Sequence, residues 1–135
     1  MSQLARGPFE VKLAPQKADN PQADGSGHGR MSIDKRFEGD LEATSQGEML
    51  SFMSATKGSA GYVAMERVTG SLGGRRGSFV FQHSGTMNRG APELRVTVVP
   101  DSGTGELTGL SGSMKIIITP DGKHSYEMTY ALATD

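Results

Sequence analysis

A glycine-paced run, Gly70-Ser-Leu-Gly-Gly-Arg-Arg-Gly-Ser-Phe-Val-Phe81, constrains this chain most, because its pattern returns at Gly105-Glu-Leu-Thr-Gly-Leu-Ser-Gly-Ser-Met-Lys-Ile116. Gly70 aligns with Gly105, Leu72 with Leu107, Gly74 with Gly109, Gly77 with Gly112, and Phe79/Phe81 with Met114/Ile116. A weaker echo, Gly39-Asp-Leu-Glu-Ala43, precedes Gly47 with one extra residue. A strand-turn-strand unit repeated at a spacing of roughly 30–35 residues marks architecture. The 19 glycines fall at turns and inside strands, so they describe a heavily turned β chain and not a low-complexity one.

Alternation supports this along the whole length. Phe9, Val11 and Leu13 share one face of Ala5–Ala14, and Met31, Ile33 and Phe37 share one face of Arg30–Glu38, with Lys35 between them. Residues 15–29, with two prolines and three glycines, read as a loop, either a lid or a simple connection. Leu41–Ala55 carries Gly47 in its interior, where a bend or bulge is expected. Tyr62–Leu72, Ser78–Met87, Leu94–Val99, Ser113–Thr119 and His124–Ala133 complete the strands, with Glu106–Leu107 as a further short piece. Pro120-Asp121-Gly122 is a turn, since proline fixes φ and glycine accepts positive φ.

Eight or nine short antiparallel strands, with glycine or proline interrupting every helical window, must hide their edges. Glycines at matched places in repeated strands are what barrel corners need, so we expect an all-β, single-domain, closed eight-stranded barrel with room for a side-chain core or one small ligand. Alternation leaves the inward face open, because Val63 and Met65 oppose Tyr62 and Val68.

Composition removes several function classes. The net charge of -1, from 14 basic and 15 acidic residues, gives no basic footprint for nucleic acid. The absence of cysteine excludes disulfides, thiolate metal sites and cysteine nucleophiles. No apolar leader or membrane-length run occurs, so no membrane association is expected and the cytoplasm is the default location. Three scattered histidines make a metal site unexpected. No cofactor is expected: the glycine clusters match neither the dinucleotide fingerprint nor a phosphate-binding loop. Ser84, Ser102 and Ser111 lie in no nucleophile-elbow context.

The hairpin turn nominates a site. A two-residue loop at Gly74-Arg75, or a four-residue loop at Gly73–Arg76, sets Gly70 against Phe79, Val68 against Phe81, Glu66 against His83 and Ala64 against Gly85. Opposed side chains have Cβ atoms about 4.5–5.5 Å apart. Glu66 and His83 are therefore candidate catalytic residues, an acid/base pair in which the carboxylate holds one ring nitrogen and frees the other for a ligand. The alternative is a pair that only satisfies itself or faces solvent. Tyr62, Phe79, Phe81 and Met87 on the same face, and Tyr126 on the last strand beside His124 and Tyr130, are candidate ligand-binding residues. In the second copy Glu66 corresponds to Asp101 and His83 to Ile118, so only one copy carries the pair.

The runs Gly61-Tyr-Val-Ala-Met-Glu-Arg-Val-Thr-Gly70, Gly74-Arg-Arg-Gly-Ser-Phe-Val-Phe-Gln-His83-Ser-Gly85 and Val99-Pro-Asp-Ser-Gly-Thr-Gly-Glu-Leu107 resemble an uncharacterised bacterial family, a domain of unknown function with an allene oxide cyclase-like barrel. The likeness runs from Gly7 to Leu132. The repeated Thr-Gly-x-Leu/Phe-x-Gly-x-x-Gly motif is similar to hairpins of plant allene oxide cyclases and dirigent proteins. The resemblance implies an eight-strand barrel with a cavity, and often a homo-oligomer. It implies no cyclase activity, since a shared fold hosts many functions. Two readings stand side by side: a barrel that binds a small apolar or amphipathic molecule in its lumen, or a cofactor-free isomerase or cyclase using Glu66 and His83. A filled barrel acting through its outer surface is a third.

Overall fold

The computed structural model describes residues 2–23 and 26–132. Eight strands run in chain order: β1 (Gln3–Gln16), β2 (His28–Phe37), β3 (Leu41–Met53), β4 (Ala60–Leu72), β5 (Arg75–Asn88), β6 (Ala91–Val98), β7 (Leu110–Ile118) and β8 (His124–Leu132). Each pairs antiparallel with its sequence neighbour, and β1 pairs with β8 to close the barrel. There is no α-helix among the described residues.

Several boundaries differ from the sequence reading. Strand pairing extends through Pro15↔Met31 and Gln16↔Arg30, so the first long connection is shorter than residues 15–29. Asp24 and Gly25 of that connection, and Ala133 at the end of the last expected strand, lie outside the described residues. The second glycine-paced copy is a true match in burial, with Leu72 and Leu107 both only 1% exposed. Its first half, however, is a single 3₁₀ turn (Gly105–Leu107) and not a strand.

That turn explains how one end is stopped. The β6–β7 connection folds back on β5: Thr104 N–H donates to Ser78 O, Ser78 N–H to Thr104 Oγ1, and Val80 N–H to Ser102 Oγ. Leu107 is thereby pressed into the lumen among Phe37, Leu41, Leu72, Phe79, Phe81, Leu110 and Tyr126. Burial of these apolar side chains is the main stabilising term, each contributing about 1.5–3 kcal/mol. Tyr126 ties the same end shut. Its hydroxyl accepts from Leu41 N–H (2.9 Å) and donates to Glu38 O (2.7 Å) across the β2–β3 turn.

The opposite end is different. Here Leu13, Met53, Met87, Leu94 and Ile118 stay 41–72% exposed. The wall is also unevenly sewn. β4 and β5 share a ladder from Ala60↔Met87 to Leu72↔Arg75, whereas β6 and β7 are paired only at Thr97↔Ser113.

Candidate functional site

β4 decides which face is inside. Ala64, Glu66 and Val68 are buried while Val63 and Met65 are about half exposed, so the set containing Tyr62, Glu66 and Val68 points into the barrel. A carboxylate in that phase is forced inward by its neighbours on both sides. It must be paired, because an isolated buried charge is costly.

The register that delivers its partner differs from the expected one. The hairpin turns at Gly73-Gly74, with φ of 58° and 86°, and Leu72 pairs with Arg75. Positive φ at both central positions is what a tight type I′ connection demands, and two glycines meet it without strain. This turn sits one residue earlier than Gly74-Arg75. Glu66 therefore faces Phe81, Val68 faces Phe79, and His83 faces Ala64. A slip of two residues in pairing leaves every side chain on its own face. Glu66 and His83 become diagonal neighbours, a separation that long side chains still bridge. His83 Nε2 lies 2.5 Å from Glu66 Oε1.

Glu66 has two further partners. Lys35 Nζ on β2 donates to Oε1 at 2.9 Å, and Ser45 Oγ on β3 donates to Oε2 at 2.5 Å. Gly47 makes the reach possible, since it pairs with both Ile33 and Glu66. A Cβ there would come 2.8 Å from the Glu66 Cβ and closer still to Met65 O. Burial by itself raises the Glu66 pKa, but the His83 hydrogen bond, the Lys35 charge and the Ser45 hydrogen bond outweigh it and hold the carboxyl at about 2. Glu66 is thus a fixed anion with both oxygens occupied.

Lys35 and Ser45 are not nominated by the sequence reading. A signal for Lys35 exists: it falls on the same alternation phase as Ile33 and Phe37, so a lysine is carried inward. Its ammonium also lies over the Phe9 and Phe37 rings, 5.4 and 5.8 Å from their centroids. Nothing local marks Ser45.

A carboxylate only accepts, so the proton between the two groups sits on His83 Nε2. Nδ1 is left facing Tyr62, whose hydroxyl is 3.4 Å away. Burial, then the Glu66 charge, pushes the Tyr62 pKa upward. Above these groups lies a cavity of about 220 Å³ at the less crowded end of the barrel. All eight strands contribute to its lining, with Val11, Ile33, Met49, Leu94 and Ile116 among its apolar walls, and Lys35, Tyr62, His83 and His124 as its polar groups. Glu66 does not line it.

The remaining nominated residues lie elsewhere. Phe79 and Phe81 are 1% and 0% exposed and pack on each other at 5.0 Å beneath the cavity, in the stopped half. Tyr126 is engaged with the β2–β3 turn. Met87 and Tyr62 line an open cleft of about 410 Å³ at the mouth, which shares Met49, Tyr62 and Leu94 with the inner cavity. The His83 counterpart of the second copy, Ile118, stands at the cavity rim, and Asp101 is an exposed turn residue.

Comparison with known proteins gives a family and no reaction. Residues 5–130 match the family model described as "Protein of unknown function (DUF3224)". A crystal structure of a protein of unknown function from the DUF3224 family of Shewanella oneidensis MR-1 is similar, with 51% identity, a TM-score of 0.90 and 98% of each chain covered. No curated protein matches. The match spans the barrel from the first buried residue of β1 to Tyr130 of β8, and it carries Glu66 and His83 within it: the chain belongs to the DUF3224 family.

Proposed function

We propose that this barrel binds a small, predominantly apolar molecule in its lumen, with the polar end of the ligand set down on Lys35, Tyr62 and His83. The observation that carries the reading is the cavity of about 220 Å³ lined from all eight strands, apolar on its walls and polar at its floor. Ligand sites are commonly concave, apolar and equipped with a few placed polar groups, and barrel mouths are among their usual locations. An empty apolar volume of about 150 Å³ already suffices for benzene, so this cavity takes about nine heavy atoms. The exposed apolar rim of Leu13, Met53, Met87 and Ile118 extends the same surface outward. The resemblance of the repeated hairpins to those of allene oxide cyclases is in keeping with a barrel that has a cavity, and it supplies no reaction.

The test is native mass spectrometry of freshly purified protein with solvent extraction, alongside Ile116→Trp, which fills the lumen. A small molecule that co-purifies with the wild type and is absent from the variant supports the reading. A wild type that carries no molecule and shows no saturable binding of apolar compounds overturns it.

A second reading rests on the His83 ring, held by Glu66 on one nitrogen and turned toward Tyr62 and the cavity with the other. In an isomerase of this design His83 moves the proton. Glu66, saturated by three partners, positions the ring and does not act as the base. Turnover of the extracted ligand by the wild type, lost in His83→Gln with binding retained, distinguishes this enzyme from a binding barrel.

A further inference from the structure

We infer that the ligand presents a neutral hydrogen-bond acceptor, a carbonyl oxygen, to the cavity floor, and that Lys35 is the residue that reads it. This rests on the lumen-binding reading above.

The charge balance of the floor comes first. Lys35, Ser45, Glu66 and His83 are the buried polar and charged residues among those described, and Glu66 is the single buried carboxylate. Its negative charge is already matched by the Lys35 ammonium at 2.9 Å. A carboxylate ligand would bring a second anion to a floor whose lysine already has its counter-ion. An ammonium ligand would meet Lys35 itself. Either ion gives up its hydration for little return. A neutral head does not disturb the balance.

The donor inventory comes second. An ammonium has three N–H donors. Among the described residues, Glu66 is the one hydrogen-bond acceptor that Lys35 reaches, and Lys35 lines the cavity. Two of its three donors are therefore left without a hydrogen-bond acceptor, on an ammonium that borders the cavity and lies over the Phe9 and Phe37 rings. The Tyr62 hydroxyl is a second donor, tied to His83 only at a long 3.4 Å. Both Glu66 oxygens are taken by Lys35, His83 and Ser45, and the one acceptor left at the floor, His83 Nδ1, already faces the Tyr62 hydroxyl. Donors facing an apolar chamber call for an acceptor on an apolar body. Buried donors left without one cost affinity, which is how such a floor discriminates.

The experiment compares methyl hexyl ketone, octanoate, octylamine and octane by calorimetry, with the carbonyl resonance of isotope-labelled ketone as a second readout. The ketone is expected to bind at least tenfold more tightly than each of the other three, with its carbonyl resonance shifted as on hydrogen bonding. The variant pair Lys35→Met with Glu66→Gln removes both charges together, so neither is left unpaired. It is expected to lose most of the ketone's advantage over octane and most of the carbonyl shift, the Tyr62 hydroxyl keeping the remainder. Tyr62→Phe, which keeps the ion pair, is expected to lose part of the preference. Octanoate or octylamine binding as well as the ketone overturns the neutral-acceptor assignment and leaves the lumen reading intact. Ketone binding no better than octane does the same. A wild type that binds none of the four overturns the lumen reading itself.

Discussion

Ala64 stands directly opposite His83 across the β4–β5 ladder. The small side chain leaves the imidazole free to lean diagonally onto Glu66, two residues along the same inward face. A larger residue at 64 would compete for that space. The acid and imidazole are brought together by the register and by a neighbour that yields room.

Glu66→Gln tests how far the lower core depends on this group. The substitution leaves Lys35 buried without its counter-ion, and breaking one side of a buried pair typically costs about 3–5 kcal/mol. Urea unfolding of the single variant should show a loss of that order. Combined with Lys35→Met, most of the loss should be recovered, because no buried charge is then left alone. Equal losses in the single and the combined variant would show that the pair contributes nothing beyond packing.

Acid should expose the same group. A carboxyl held at about 2 in the folded chain, against an ordinary value of 4.5, stabilises the fold fully above the higher pH and loses that contribution as pH falls toward the lower. The loss between pH 4.5 and 2 is on the order of 3 kcal/mol. Denaturant midpoints across this window should drop steeply in the wild type and much less in Glu66→Gln. The exposed Glu48 and Asp121 are also lowered, by Arg30 and by Thr119. They titrate in both proteins and cancel in the comparison.

Gly47→Ala should destabilise the barrel by about 1–3 kcal/mol, because the added methyl runs into Met65 O and meets Glu66 Cα at 2.7 Å. Gly61→Ala is the matched control. Its nearest neighbour would be 3.7 Å away, an ordinary contact. A stability difference between the two variants, measured by thermal unfolding, locates the close approach of β3 to β4. Equal values would remove Gly47 from the account of how Glu66 is seated.

Hydrogen exchange should map the uneven wall. Amides of β4 and β5 sit in a continuous ladder, while β6 and β7 meet at one residue pair. Amides of residues 91–95 and 115–118 that point toward that join should exchange orders of magnitude faster than those in the middle of β4. Uniform protection around the barrel would contradict the pairing described.

The sequence carries the fold because glycine spacing and alternation are local signals, and both are present in β4, β5 and their echo. That Glu66 and His83 share one face is legible for the same reason, since side-chain phase survives an error in turn position, but alternation alone leaves open which face turns inward. The exact partners are not legible. Choosing Gly74-Arg75 over Gly73-Gly74 as the turn moves the pairing by two residues, although two glycines are the stronger signal for positive φ at both centres. Lys35 is visible as a lysine in an apolar phase, but its meeting with Glu66 depends on β2 lying two strands away through β3. That is a property of the closed wall and of the bare position at Gly47. Phe79 and Phe81 resemble lining because aromatics on an inward face suit a ligand equally well. What sends them to the packed half is the 3₁₀ plug at Leu107, which the repeat pattern presents as another strand.

That plug makes the barrel a cup and not a pipe. A ligand bound as proposed above would leave by the way it came, head first going in and tail first coming out. Lengthening its tail would add contact only as far as the brim. Beyond that point extra carbons would trail into water, so selectivity for the buried head would coexist with indifference to the length of the tail.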